Sequence, residues 1–211
     1  KKSARTAEAD QTDVRAAVQA MLADLAQGGE AAAIRMARDL DKWDGDIVVS
    51  PETRARAAAL VPAKLRGDIQ FAHRNIRRFA EAQRATIMDC NIEILPGLMA
   101  GQKHIPVASA GCYVPGGRYS HIASAIMTIT TAKVAGVPHI VACSPPRPGV
   151  GIPPAILYAM DLCGANVILN LGGVQGVAAM AHGHFGLPKA DILVGPGNQY
   201  VTEAKRQVAG R

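Results

Sequence analysis

The chain has 211 residues, of which 49% are hydrophobic and 19% charged, with a formal net charge of +6. That balance excludes a disordered chain and allows one large domain or two small ones around a buried core. Aromatic residues are only 4%, so the core has to be built from Ala, Val, Ile and Leu, which favours parallel α/β packing over an aromatic-rich sandwich. The apolar runs stay well short of the roughly 18–20 residues of a membrane span, and no signal-peptide pattern stands at the first residues. The positive side chains are interleaved with acids, apart from a short helical stripe at His73, Arg74, Arg77 and Arg78. Neither a membrane nor a nucleic-acid partner is therefore expected. Cys90, Cys112, Cys143 and Cys163 show no CxxC spacing, which points to free thiols in a reducing, cytoplasmic setting.

In chain order, Val14, Val18, Met21, Leu22 and Leu25 recur at helical spacing, and the helical pattern from 12 to 42 is broken by Gly28-Gly29. Asp44-Gly45 signals a turn, and Ser50-Pro51-Glu52 places an N-cap residue before a first-turn proline. A second helical stretch runs to about Arg84 and restarts at Pro62. Short strands are predicted at 92–95 and 101–107 around Pro96-Gly97. From Gly111 on, apolar runs at 112–114, 140–143, 167–169 and 192–194 alternate with helical segments at 122–135, 153–162 and 174–181. Gly136, Gly164 and Gly183 follow these helices as C-caps. A strand–helix–strand rhythm of this length predicts an α/β fold: a helical N-terminal region followed by an incomplete Rossmann-like, doubly wound parallel sheet. The expected division is residues 1–108, helical with part of a catalytic domain, and residues 109–211, the nucleotide-binding domain. The chain opens on Lys1 and still reads as helical at 203–211, so it is expected to be a piece of a longer protein.

Ligands of such sheets lie beyond the carboxyl ends of the strands. Those ends are Pro115-Gly-Gly-Arg118, Ser144-Pro-Pro146, Gly172-Gly-Val-Gln175 and Gly195-Pro-Gly-Asn198. Three contain glycine ahead of a helix, either as tight turns or as places where backbone N–H groups meet the phosphates of a nucleotide-type ligand. No GxGxxG fingerprint or P-loop is present. His182 and His184 have no further ligand nearby in sequence and read as a solvated helix end rather than a metal site. No complete catalytic constellation is visible.

Four segments carry a family resemblance. Gly111-Cys-Tyr-Val-Pro-Gly-Gly117, Thr131-Ala-Lys-Val-Ala-Gly136, Gly172-Gly-Val-Gln-Gly-Val-Ala-Ala179 and Val194-Gly-Pro-Gly-Asn-Gln-Tyr-Val-Thr-Glu-Ala-Lys205, with Trp43-Asp-Gly45 upstream, resemble the histidinol dehydrogenase family. The resemblance implies NAD- and zinc-dependent oxidation of a primary alcohol through an aldehyde to a carboxylate, with two NAD consumed. It implies a homodimer, about twice this length. It also implies NAD contacts at Tyr113, Gln175 and Asn198. The family's zinc ligands and its Glu-His acid/base pair belong to sequence beyond Arg211, so this chain contributes no catalytic or metal residue and by itself is expected to bind cofactor without turning it over.

One stretch departs from the usual pattern. After Pro115-Gly-Gly117 stand Arg118, Tyr119, Ser120 and His121, where family members carry small or neutral residues. A guanidinium repels cationic histidinol and matches an oxyanion. Arg118 and His121 are therefore the candidate substrate contacts, for an anionic alcohol. The segment resembles the branch of the family that oxidises 2,3-dihydroxypropane-1-sulfonate. L-Histidinol is the alternative substrate, Arg118 on a cofactor phosphate or in solvent is the alternative role, and a catalytically silent nucleotide-binding module is the alternative of another class.

Overall fold

A glycine pair, a proline and a Pro-Gly turn divide the first hundred residues. The computed structural model of the chain describes residues 4–116 and 121–210 and opens with α1 (Ala4–Leu40). Gly29 sits inside this helix at φ 55°, an angle foreign to a right-handed helix, and the helix kinks there. The predicted start of α2 (Pro51–Leu60) is present: Ser50 Oγ accepts the Thr53 N–H at 3.2 Å, and Pro51 occupies the first turn. Pro62 separates it from α3 (Ala63–Ala85).

β1 (Cys90–Leu95) and β2 (Leu98–Gln102) pair antiparallel across Pro96-Gly97, with Gly97 at φ 79°. The second strand thus differs from the expected 101–107. The two-residue turn pairs Leu95 with Leu98 and Cys90 with Gln102, so the partner strand is used up at Gln102, and Pro106 beyond it has no N–H to give a ladder. Ile92, Ile94, Leu95, Leu98 and Met99 of this hairpin are all more than half exposed.

The remaining elements are β3 (Ser109–Tyr113), α4 (Ile122–Val134), β4 (His139–Ser144), α5 (Pro154–Cys163), β5 (Val167–Asn170), α6 (Gly173–His182), β6 (Ile192–Val194) and α7 (Gln199–Val208). The four strands form one parallel sheet in the order β5-β4-β3-β6. Side-chain alternation divides it into two cores. Ala110, Cys112, Ile140, Ala142 and Ile168 face α2 to α5, whereas Tyr113, Val141, Cys143 and Leu169 face α1, α6 and α7. With both faces covered, successive central positions of each strand are apolar, which is why the sequence shows runs rather than alternation. This is the doubly wound α/β architecture expected from the sequence. The N-terminal helices complete it: α1 lies on α6 and α7, while α2 and α3 lie on α5 and α4. Arg54 ties α2 down by donating to Asp161 Oδ1 at 2.7 Å and to the carbonyls of Ala165 and Asn166.

The cysteines are free, three buried and one, Cys90, exposed. Desolvation pushes Cys112 up to about 12 and Cys163 up to about 11, and pushes Cys143 up as well. Buried neutral thiols are poor nucleophiles. Iodoacetamide at pH 8 is expected to label Cys90 alone in the native protein and all four cysteines after denaturation, as read by mass spectrometry. Native labelling at Cys112 or Cys143 would contradict this packing.

Candidate active-site cleft

The chain leaves neighbouring strands β3 and β6 in opposite directions, to α4 on one face and α7 on the other. In an open α/β sheet that divergence leaves a crevice at the strand ends. A cleft of about 510 Å³ lies there, and Tyr113, Gln175 and Asn198 all line it, together with Pro115, Gly116, Pro145, Gly173, Gly197, Tyr200, Met21 and Leu40 of α1, and Asp41 just after it. The three residues singled out for cofactor contact follow three different strands; β3 and β6 are neighbours, and α6, packed back over the sheet from the far-edge strand β5, carries Gln175 to them.

Each is held differently. Tyr113 is 4% exposed and turns its ring into the α1/α6 core, where its hydroxyl accepts the Gly173 N–H at 3.0 Å. Burial pushes its phenol well above the ordinary value. Gln175 is buried in the first turn of α6; Nε2 donates to Asp41 Oδ2 at 2.9 Å, while Oε1 is buried with no partner among the described residues. Asn198 is the N-cap of α7. Its Oδ1 accepts the Val201 N–H at 3.1 Å, which fixes the amide and leaves its nitrogen as the group open to a ligand.

Asp41 was not singled out by sequence. It follows α1, and nothing in Arg38-Asp-Leu-Asp41 distinguishes it from a solvated helix end. Only the packing of α1 on α6 brings its Oδ2 to the Gly172 N–H at 3.1 Å and to Gln175. The consequence revises the reading of the Gly172-Gly173 turn as a phosphate cradle. Both N–H groups are already taken, one by Asp41 and one by the Tyr113 hydroxyl. Of the glycine turns, Gly116 and the Gly195–Asn198 loop remain for an anion. In the latter, Lys205 Nζ donates to the Gly195 carbonyl at 2.6 Å.

Of the two candidate substrate residues, the one described is not in this constellation. His121 precedes α4, where its carbonyl accepts the Ser124 N–H at 3.1 Å, and it is not among the residues lining the cleft. Arg118 lies outside the described residues. His182 and His184 bring their rings within 5.8 Å of each other, but among the described residues no group of three or more His, Cys, Asp or Glu side chains is placed to hold a metal ion. Nor is any helix among them long and apolar enough to cross a membrane.

Burial raises the Asp41 carboxyl above its ordinary 3.8, against the pull of the Gly172 and Gln175 donors. A raised carboxyl stabilises the fold when protonated, and that contribution is lost as pH climbs through and just above 3.8. The thermal midpoint of Asp41→Asn relative to wild type is accordingly expected to improve across that window. A difference independent of pH, or one moving the other way, would contradict the burial of this charge.

Comparisons with known proteins agree with this architecture. A profile described as histidinol dehydrogenase matches residues 4–211. The chain is 61% identical over its whole length to a sulfopropanediol 3-dehydrogenase of Ruegeria pomeroyi, covering 48% of that protein. It is 63% identical over 96% of its length to a histidinol dehydrogenase homolog of the same organism, covering 47% of it. Among solved structures, histidinol dehydrogenase from Elizabethkingia anophelis superposes with a TM-score of 0.86 at 34% identity, over 92% of this chain and 45% of that one. The chain thus spans about half the length of the relatives it matches. With a doubly wound sheet, a cleft at its crossover and a profile that runs through nearly every residue, the chain belongs to the histidinol dehydrogenase family.

Proposed function

We propose that the cleft between β3 and β6 holds NAD, and that the protein carrying this chain is a dehydrogenase of a small anionic alcohol. Its substrate on this reading is 2,3-dihydroxypropane-1-sulfonate, oxidised through the aldehyde to the carboxylate with two NAD. The supporting observation is the convergence of Tyr113, Gln175 and Asn198 on one cleft, in a chain 61% identical to a protein named for that substrate class. The donor set suits a dinucleotide. Asn198 offers an amide N–H and the Gly195–Asn198 turn an approach for phosphate at the start of α7, while Gln175, its amide nitrogen held on Asp41, lines the wall between them. Bound there, the cofactor supplies the hydride acceptor; these side chains bind and orient it.

Arg118, with His121 nearby in sequence, is the proposed sulfonate contact, since a guanidinium meets a tripodal oxyanion through charge-assisted hydrogen bonds. Zinc, which the family resemblance implies, finds no ligand set among the described residues, and no step is assigned to it. The proposed assembly is a cytoplasmic homodimer. A second reading, L-histidinol as substrate, is favoured by the superposition on a histidinol dehydrogenase.

The test is NADH formation by the full-length protein that contains this chain, with 2,3-dihydroxypropane-1-sulfonate and L-histidinol offered separately. Turnover of the sulfonate, lost in Arg118→Ala, is the expected result. Turnover of L-histidinol only would overturn the anionic substrate, and NADH from neither would overturn the dehydrogenase reading with these alcohols.

A further inference from the structure

The carboxylate of Asp41 is used unevenly. Oδ2 accepts both of its protein donors, the Gly172 N–H and Gln175 Nε2. Oδ1 accepts from no described residue, and the Asp41 side chain is only partly buried. Because Asp41 lines the cleft, Oδ1 is an unshared, charged acceptor within reach of a bound ligand.

The same contacts decide what this corner can hold. The start of α6 is its positive end, and in many nucleotide folds such an end faces phosphate. Here the first two of its N–H groups, those of Gly172 and Gly173, are spent on Asp41 and on the Tyr113 hydroxyl. A phosphate placed at this corner would meet a carboxylate where it needs donors, and like charges at contact distance in a partly desolvated site repel strongly. A neutral group that donates is favoured instead, since a hydroxyl on a carboxylate oxygen makes a charge-assisted bond. Met21 and Leu40 come from α1, the helix that Asp41 directly follows, and give the adjoining wall apolar side chains. A purine ring against that wall would bring its own ribose to Asp41.

We propose that Asp41 is a specificity-determining residue for the cofactor: its free oxygen receives the ribose hydroxyls of the adenosine half, and its charge excludes a dinucleotide phosphorylated on that ribose. This rests on the reading of the cleft as a dinucleotide site. An acidic side chain on a ribose hydroxyl is known chemistry in dinucleotide folds, where it follows the glycine turn by about 20 residues. In this chain the acid directly follows an N-terminal helix, 131 residues ahead of Gly172.

The experiment is calorimetric titration of the full-length protein with NAD and with NADP, as wild type, Asp41→Asn and Asp41→Ala. Wild type is expected to bind NAD at least about 30-fold more tightly than NADP, a ratio within reach of one charge repulsion. Asp41→Asn keeps an acceptor for Gly172 and Gln175 but no charge. It should narrow the preference to about threefold, chiefly by tightening NADP. Asp41→Ala also removes the shared acceptor and should weaken NAD roughly tenfold. A residue that merely supported the fold would lower both affinities together and leave their ratio alone. An unchanged ratio in Asp41→Asn, or a wild type that binds both cofactors equally, overturns the proposal. A wild type that binds neither overturns the dinucleotide reading beneath it, a result distinct from the other two.

Discussion

Gly195→Ala is expected to destabilise the protein by about 3–5 kcal/mol, the sum of an overpacking cost and a left-handed backbone cost. Gly195 has φ 111°, and a Cβ built on it would overlap the carbonyl oxygen of Tyr113. The obstacle is backbone, so no rotamer change relieves it. The neighbouring pair Cys112–Val194 is part of the β3–β6 ladder, and separating the chains enough to admit a methyl would open that ladder at the floor of the cleft. Against a total stability of roughly 5–15 kcal/mol, a loss of this size removes about a fifth or more of the fold's margin. Urea titration followed by circular dichroism measures it. A midpoint shift equivalent to less than about 1 kcal/mol would mean that the β6–α7 turn is not wedged against β3.

Leu169→Ala carries the second large effect, about 2–5 kcal/mol. Leu169 has no exposed surface and lies in the β5 strand facing the α1, α6 and α7 side. It pairs with Cys143 on β4, and an isolated bridge to Val48 closes the outer edge of the sheet. Truncation removes three buried carbons and leaves a cavity that two-sided packing cannot collapse. Leu169→Met keeps the volume, and its loss is expected to stay under about 1.5 kcal/mol. The difference between the two variants separates lost packing from any general intolerance of substitution at this position. Equal losses from both would show that shape rather than volume governs this core.

The parts of the fold legible in sequence are those that local physics dictates. Ser50-Pro51 could only cap and start a helix, and Gly29 could only kink one, because the hydrogen-bonding and φ requirements act within a few residues. The hairpin shows the limit of that reasoning. Pro96-Gly97 identified the turn, but the length of β2 followed from pairing with β1, and the β-branched Ile105 and Val107 did not make a strand without a partner. Recognition of the family likewise rested on contiguous motifs, where residue order carries the information.

The site divides along the same line. Tyr113, Gln175 and Asn198 were nameable because each stands at a strand end within a motif, and strand ends of an alternating chain are where ligands bind. Whether they meet was decided by the sheet order β5-β4-β3-β6, which sets β6 beside β3, and by α6, which leaves the far-edge strand β5 and packs back over β3 and β6. Asp41 belongs wholly to the tertiary structure. Its helix end carries no local mark, and it reaches the cleft because α1 packs across α6. So the sequence by itself determined the α/β rhythm, the helix starts and stops, and the family, all properties of short-range hydrogen bonding and linear order. The tertiary structure alone decided which strand ends share a cleft and which N–H groups are already spent there, because both depend on contacts between segments 60 to 134 residues apart.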